Sequence, residues 1–239
     1  MAEDCFEQNI KVRQCECDMD NRMTPSYMLK YAQEIATAHC DSKGITDEVY
    51  QKTHTAFLLA KSRITVNTPL MWNEDIKIIT RAYAPERAMF WRTVAFVNDK
   101  GVQCAEVQSV WILIDTDTKH IMRRAPEEIA QCFSTVNANK LNINISKVQT
   151  QLISEEKALY TMCDKNIHIN NTVYADIICN NLPQQLLRRH FIKEFVISYH
   201  NEIPFDTNYN LFCGNITDNE FYFLGEYKDK KYFEVNVTF

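Results

Sequence analysis

Glycine and proline are scarce in this 239-residue chain, with 4 and 6 copies, which excludes collagen-like, low-complexity and linker-rich architectures. Long apolar runs are missing too. Val110–Ile114 is among the longest and falls far short of a bilayer span. The opening residues MAEDCFEQN are acidic and hold no apolar signal-peptide core, so the expected location is the cytoplasm. Positive charge is not in excess: a net charge of −5 argues against a broad nucleic-acid surface. The nine cysteines are odd in number and scattered, so a complete disulfide framework is impossible and a reducing compartment is expected. The one close pair, Cys15 and Cys17, lacks a second Cys/His cluster at zinc spacing and reads as alternate strand positions; no metal and no cofactor is expected.

What is present is ordinary globular material, 46% hydrophobic and 24% charged, enough for one large domain or two small ones. Phe6–Cys17 alternates as a strand. Thr24-Pro25-Ser26 then signals a helix start, followed by Tyr27, Tyr31, Ile35 and Ala38 on one face, with Met28 and Ala32 widening the stripe. A polar connection with Gly44 and a short helical piece follows. Ala56–Val66, Ile76–Ala84, Met89–Asn98 and Val102–Ile114 carry β-branched and aromatic residues between turn signals, which is α+β order: a helix laid on an antiparallel sheet. Arg124-Ala125-Pro126-Glu127-Glu128 turns into a short helix. Ser134–Thr150 is polar and Asn-rich, and the boundary is expected there: one domain over 1–133, a connection over 134–150 and a second domain over 151–239.

The second half repeats this order, with strands expected at Leu159–Cys163, Phe191–Tyr199, Tyr209–Thr217, Glu220–Tyr227 and Lys231–Phe239 and a helix opening at Asn171. Asp18 pairs with Asp164, 146 residues on (164 − 18), which also aligns Asp20 with Asn166 and Arg22 with His168. Asp75 pairs with Asp206 at an offset of 131 (206 − 75). If the segment is extended, Asp164, Asn166 and His168 share one face. Asn170, Asn171 and Thr172 supply helix-capping chemistry next to them. The remaining histidines lack such an acid and amide pattern and read as structural.

Asp164-x-Asn166-x-His168-x-Asn170-Asn171-x-x-Tyr174, together with Tyr199–Asp206, Ser109-Val110-Trp111 and Arg124–Ile129, resembles the acyl-acyl carrier protein thioesterase family over almost the whole chain. The resemblance implies two tandem hot-dog domains, each a long helix packed on an antiparallel sheet. It implies a catalytic second domain and a first domain that holds the acyl chain around a degenerate site. It also implies a polar site of Asp164, Asn166, His168 and Glu202. Plant members usually carry Cys directly after the acid of the second motif; here that position is Ile203, which excludes a cysteine nucleophile at this point and makes Glu202 the better candidate. The implied reaction is hydrolysis of fatty acyl-acyl carrier protein. Acyl-CoA hydrolysis, a hot-dog dehydratase or hydratase, and a non-catalytic acyl-binding module are the alternatives. Met28, Tyr31, Ala32 and Ile35 are candidates to line an acyl tunnel. Arg188, Arg189 and Lys193 are candidates to meet the acidic carrier protein. A monomer is as compatible with two fused units as a homodimer.

Overall fold

The computed structural model describes residues 5–136, 138 and 143–239. The first unit runs β1 (Cys5–Lys11), α1 (Pro25–Ser42), α2 (Asp47–Lys52), β2 (Thr55–Val66), β3 (Asp75–Ala82), β4 (Met89–Asn98), β5 (Gln103–Asp115) and α3 (Glu127–Ala130). The second runs β6 (Gln151–Lys157), α4 (Val173–Asn181), α5 (Gln184–Arg189), β7 (Glu194–Tyr199), β8 (Asn208–Thr217), β9 (Glu220–Tyr227) and β10 (Lys230–Thr238). The ten strands form one antiparallel sheet in the order β1-β3-β4-β5-β2-β7-β10-β9-β8-β6. Two five-stranded sheets thus meet where β2 lies beside β7, from Lys61 opposite Ser198 to Thr65 opposite Glu194.

Pro25 opens α1, where its fixed φ suits the first turn and its missing N–H costs nothing. The helix buries Met28, Leu29 and Ile35 in a core that runs on through Tyr174, Phe195 and Phe233 of the second unit. Each such side chain contributes about 1.5–3 kcal/mol by leaving water. The second unit's helix is shorter. Pro183 biases Leu182 to an extended backbone, φ −79° and ψ 154°, so α4 stops after nine residues and the chain restarts as α5.

The expected strand over Leu159–Cys163 is instead a 3-10 turn, Tyr160–Met162, and the strand lies upstream as β6. Its sequence QLISEEK is largely exposed at the sheet edge, so no clean apolar alternation marks it. β1 likewise stops at Lys11, and Cys15 sits in the 3-10 turn Gln14–Glu16 rather than on a strand.

The repeat is written in matched hydrogen bonds. Asp18 N–H donates to Arg22 O and Asp164 N–H to His168 O; Met23 N–H donates to Leu70 O and Ile169 N–H to Ile203 O. The matched left-handed residues are Asn21 with Ile167 and Asn73 with Asp206. The later offset is therefore 133 (206 − 73), not 131, and Pro69 is the counterpart of Glu202 (202 − 133).

On the face away from the helices, Ile143 packs with Trp91, Val110 and Val196. Lys61 Nζ donates to Ile143 O at 2.9 Å, and Ser146 and Asn236 exchange two hydrogen bonds. Farther along, a Cβ at Gly214 would collide with the Gln149 carbonyl, so the absent side chain lets the connection lie flat on β8.

Candidate active site

Cys163–Asn170 is a closed turn, not an extended segment. Cys163 bridges to Ile169 and His168 to Pro204. Ile167 N–H donates to Asp164 O at 3.0 Å, and Asn166 N–H donates to Asp164 Oδ1 at 2.8 Å. Ile167 reverses the chain at φ +64°, a costly conformation for a β-branched residue. The single face expected for Asp164, Asn166 and His168 therefore does not form, and the Asp164 carboxylate binds within the turn. Its Oδ2 accepts from Asn170 Nδ2 at 3.3 Å, and Asn170 Oδ1 accepts from Thr172 N–H and Oγ1–H at 3.0 and 2.8 Å. The relay couples the turn to the start of α4.

His168 Nδ1 lies 3.2 Å from Ile169 O. A carbonyl oxygen only accepts, so Nδ1 carries a proton and Nε2 is the acceptor of the neutral ring. Nε2 stands 3.4 Å from Glu202 Oε1. The imidazole is 15% exposed and the carboxylate 61%, so the pair sits at a surface that water reaches. A carboxylate and an imidazole nitrogen that both accept can hold one water or one proton between them.

Asn166, exposed and two residues before His168, lies on the rim of a cavity of about 390 Å³ beneath α1. Apart from Asn166 and Lys165, its walls come from the first unit: Gln33, Ala36, Thr37 and Cys40 of α1, then Phe57, Phe90 and Trp111 from the sheet. With Asp41, these α1 residues recur at helical spacing on one face. Lys165 Nζ reaches Asp47 Oδ2 of α2 at 3.4 Å, an exposed pair worth little by itself. The Asn166 side-chain amide has no hydrogen-bond partner among the described residues, so both of its polar atoms are available at the cavity mouth.

Models of the acyl-ACP thioesterase N-terminal and C-terminal domains match residues 3–133 and 145–233. The chain belongs to the acyl-ACP thioesterase family. It is 22% identical over 243 residues to an Arabidopsis thaliana protein named oleoyl-acyl carrier protein thioesterase 2, covering 90% of this chain and 64% of that one. It is 20% identical over 219 residues to the Gossypium hirsutum palmitoyl-acyl carrier protein thioesterase, covering 84% and 53%. The chain thus spans between half and two thirds of the length of these plastid relatives. Among solved structures, an acyl-ACP thioesterase of Bacteroides thetaiotaomicron superposes with a TM-score of 0.89 at 18% identity, covering 98% and 97% of the two chains. The 12:0-ACP thioesterase of Umbellularia californica gives 0.87 at 16%, covering 100% and 98%. The shared fold is the double hot dog.

Within this family frame, Ile203 is wholly buried and its carbonyl pairs with Ile169 N–H. In the first-unit copy of the turn, Arg22 fills the place of His168 and Pro69 that of Glu202. Arg22 binds Asp18 and Asp20 and donates to the carbonyls of Leu187 and His190 in the second unit. The copy without the imidazole is a tether between the units.

The expected tunnel residues sit differently from the cavity. Met28 and Ile35 are core, and Ala32 lines only a small neighbouring void. Tyr31 donates to buried Glu16 at 2.6 Å. None of these four lines the cavity that Asn166 borders; the helical stripe pointed to the core face of α1, and the cavity uses the face beside it. Of the basic residues, Arg188 reaches Asp20 at 3.4 Å and Lys193 donates to Phe239 O at 3.3 Å. Only Arg189 has no partner among the described residues. His200, read as structural, binds Glu234 at 2.7 Å. No described helix is long and apolar enough to cross a membrane.

Proposed function

We propose that the chain hydrolyses the thioester of fatty acyl-acyl carrier protein, releasing free fatty acid and ending elongation. One observation carries this reading: Asn166, on the turn that also holds His168, rims a cavity built almost wholly by the other unit, with Phe57, Phe90, Trp111 and Phe133 among its walls. The first unit holds the acyl chain beneath α1, and the second brings polar groups to its carboxyl end. A thioester needs little leaving-group help, since a thiol pKa of about 8.5 lets it depart without full protonation. The demanding steps are activating water and stabilising the oxyanion.

His168 Nε2 and Glu202 hold the attacking water and take its proton. The Asn166 amide donates to the developing oxyanion or orients the water, and Asp164 keeps the turn in shape through the Asn166 N–H and the Asn170 relay. The backbone N–H groups of Thr172 and Val173 are already used within the turn, whereas the Asn166 amide is free at the cavity mouth to contact the oxyanion. The proton then passes from His168 to the departing thiolate. With all nine thiols unpaired, the chemistry suits a reducing cytoplasm.

Acyl-CoA is the competing substrate, and two of the three basic residues expected to receive a carrier protein are engaged within the chain. Thiol release is therefore to be measured on saturated acyl chains of short to long length, each on carrier protein and on CoA. Faster turnover on carrier protein that falls with salt supports the proposal. Turnover on CoA alone replaces the carrier, and no thiol release from any saturated substrate overturns the hydrolase reading.

A further inference from the structure

The inner wall of the cavity holds a group of side chains that hydrolysis does not use. Cys40, in the last turns of α1, lines the cavity, and its Sγ lies 3.4 Å from Sγ of buried Cys132, just past α3. Arg92 of β4, 5% exposed, stands over both sulfurs. Its Nη2 is 3.8 Å from Cys40 Sγ and 3.9 Å from Cys132 Sγ, while Nη1 reaches Thr80 Oγ1 at 3.0 Å and His39 Nδ1 at 3.1 Å. Among the described residues no carboxylate pairs with Arg92. A buried guanidinium without an anion is costly, and the anion these neighbours can supply is a thiolate.

The groups facing Cys40 are Cys132, Arg92, Tyr50 of α2 and its neighbour Asp41. The hydrogen bond from Cys132 and the charge of Arg92 hold the Cys40 thiol down to about 6 against the opposing effect of burial. The same coupling pushes Cys132 up, so one sulfur is the thiolate and the other keeps its proton as donor. A low-pKa thiolate open to a cavity, beside a second thiol within bonding reach, is the arrangement of a reversible oxidation site.

We propose that Cys40 is a peroxide-reactive thiolate and Cys132 its resolving partner. The Cys40 thiolate attacks one oxygen of hydrogen peroxide, the O–O bond breaks, and Cys40 sulfenic acid and hydroxide form. The Cys132 thiol then attacks the sulfenic sulfur, the S–O bond breaks, its proton leaves with the oxygen as water, and the disulfide closes. Peroxide is reduced by two electrons and the two sulfurs are oxidised. The bond ties the end of α1 to the segment after α3. It also removes the negative charge from Arg92, leaving an unpaired cation on the acyl cavity. This inference does not depend on hydrolysis, because it needs only the cavity as an entry path.

The test exposes folded wild-type protein to limiting hydrogen peroxide and maps the products by peptide mass spectrometry. The expected first product is a Cys40–Cys132 disulfide, lighter by two hydrogens and reversed by dithiothreitol. Cys132→Ser is expected to stop at a sulfenic acid on Cys40 that dimedone traps, and Cys40→Ser to give no such disulfide. Exposed Cys5 and Cys15 are internal comparators. Alkylation of Cys40 by iodoacetamide at pH 6.5 is expected to outpace both by about tenfold, because the Arg92 guanidinium and the Cys132 thiol favour the Cys40 thiolate. Oxidation of Cys5 or Cys15 before Cys40, or Cys40 alkylation no faster than theirs, overturns the proposal.

Discussion

His168 owes its orientation to a main-chain neighbour: Ile169 O accepts from Nδ1–H, which turns Nε2 toward Glu202. Removing either member takes away a proton acceptor without touching the bonds that close the turn. His168→Ala and Glu202→Gln are each expected to lower kcat on acyl-acyl carrier protein by about 10²–10⁴-fold with an unchanged circular dichroism spectrum. Wild-type turnover in either variant would sink the assignment. Tyr31 is the opposite case. Burial and the hydrogen bond to Glu16 push its phenol up to about 12, and it serves a fully buried carboxylate that also binds Arg13. Tyr31→Phe is expected to cost about 1.5–3 kcal/mol in denaturant unfolding with no change in chain-length preference. Tyr31 was legible as a helix-face residue, but its polar end was not, because its partner lies fifteen residues upstream across a turn.

α1 divides its labour by face, Met28 and Ile35 in the core and Gln33, Ala36, Thr37 and Cys40 on the cavity. Filling the second face should shorten the space for an acyl chain while leaving the core alone. Ala36→Phe is expected to shift thiol release toward shorter chains, and a uniform loss across all lengths would count against the cavity as the acyl site. The connection between the units has its own anchor. Glu234 of β10 is buried; burial opposes its ionisation, yet hydrogen bonds from Tyr222, Lys147, Lys231 and His200 outweigh this and hold the carboxyl at about 2. Since the unfolded value is about 4.3, this stabilisation is full above that pH and is lost as pH falls toward 2. Glu234→Gln should flatten that part of the stability profile and cost about 2–3 kcal/mol at pH 7, read from urea midpoints between pH 7 and pH 3.

The two units act as one body because β2 and β7 complete a single sheet, the core is continuous and Arg22 reaches across to Leu187 and His190. A turn inherited by duplication has been put to two uses: in one unit it meets the partner, in the other it brings Asn166 to the partner's cavity. Arg22→Ala is expected to cost about 2–4 kcal/mol while unfolding stays a single transition by both fluorescence and circular dichroism. Two separated transitions would show that the sheet junction alone does not couple the units.

Local chemistry determined a good deal without tertiary information. β-branched alternation marks β2–β5 and β8–β10, Pro25 starts α1, and the cluster of Asp164, Asn166 and His168 draws attention to the turn that carries them. These signals are short-range, so neighbouring residues carry them. β6 escaped because an exposed edge strand has no buried face to pattern. The closed form of the 163–170 turn escaped because it depends on Ile167 at φ +64° and on backbone hydrogen bonds to the Ile203–Phe205 loop. Only the tertiary structure decided that Glu202 stands beside His168, that Asn166 belongs to a cavity of the other unit, and that Cys40, Arg92 and Cys132 share its inner end. Those contacts join residues dozens of positions apart, and chain packing, which no local pattern encodes, brings them together.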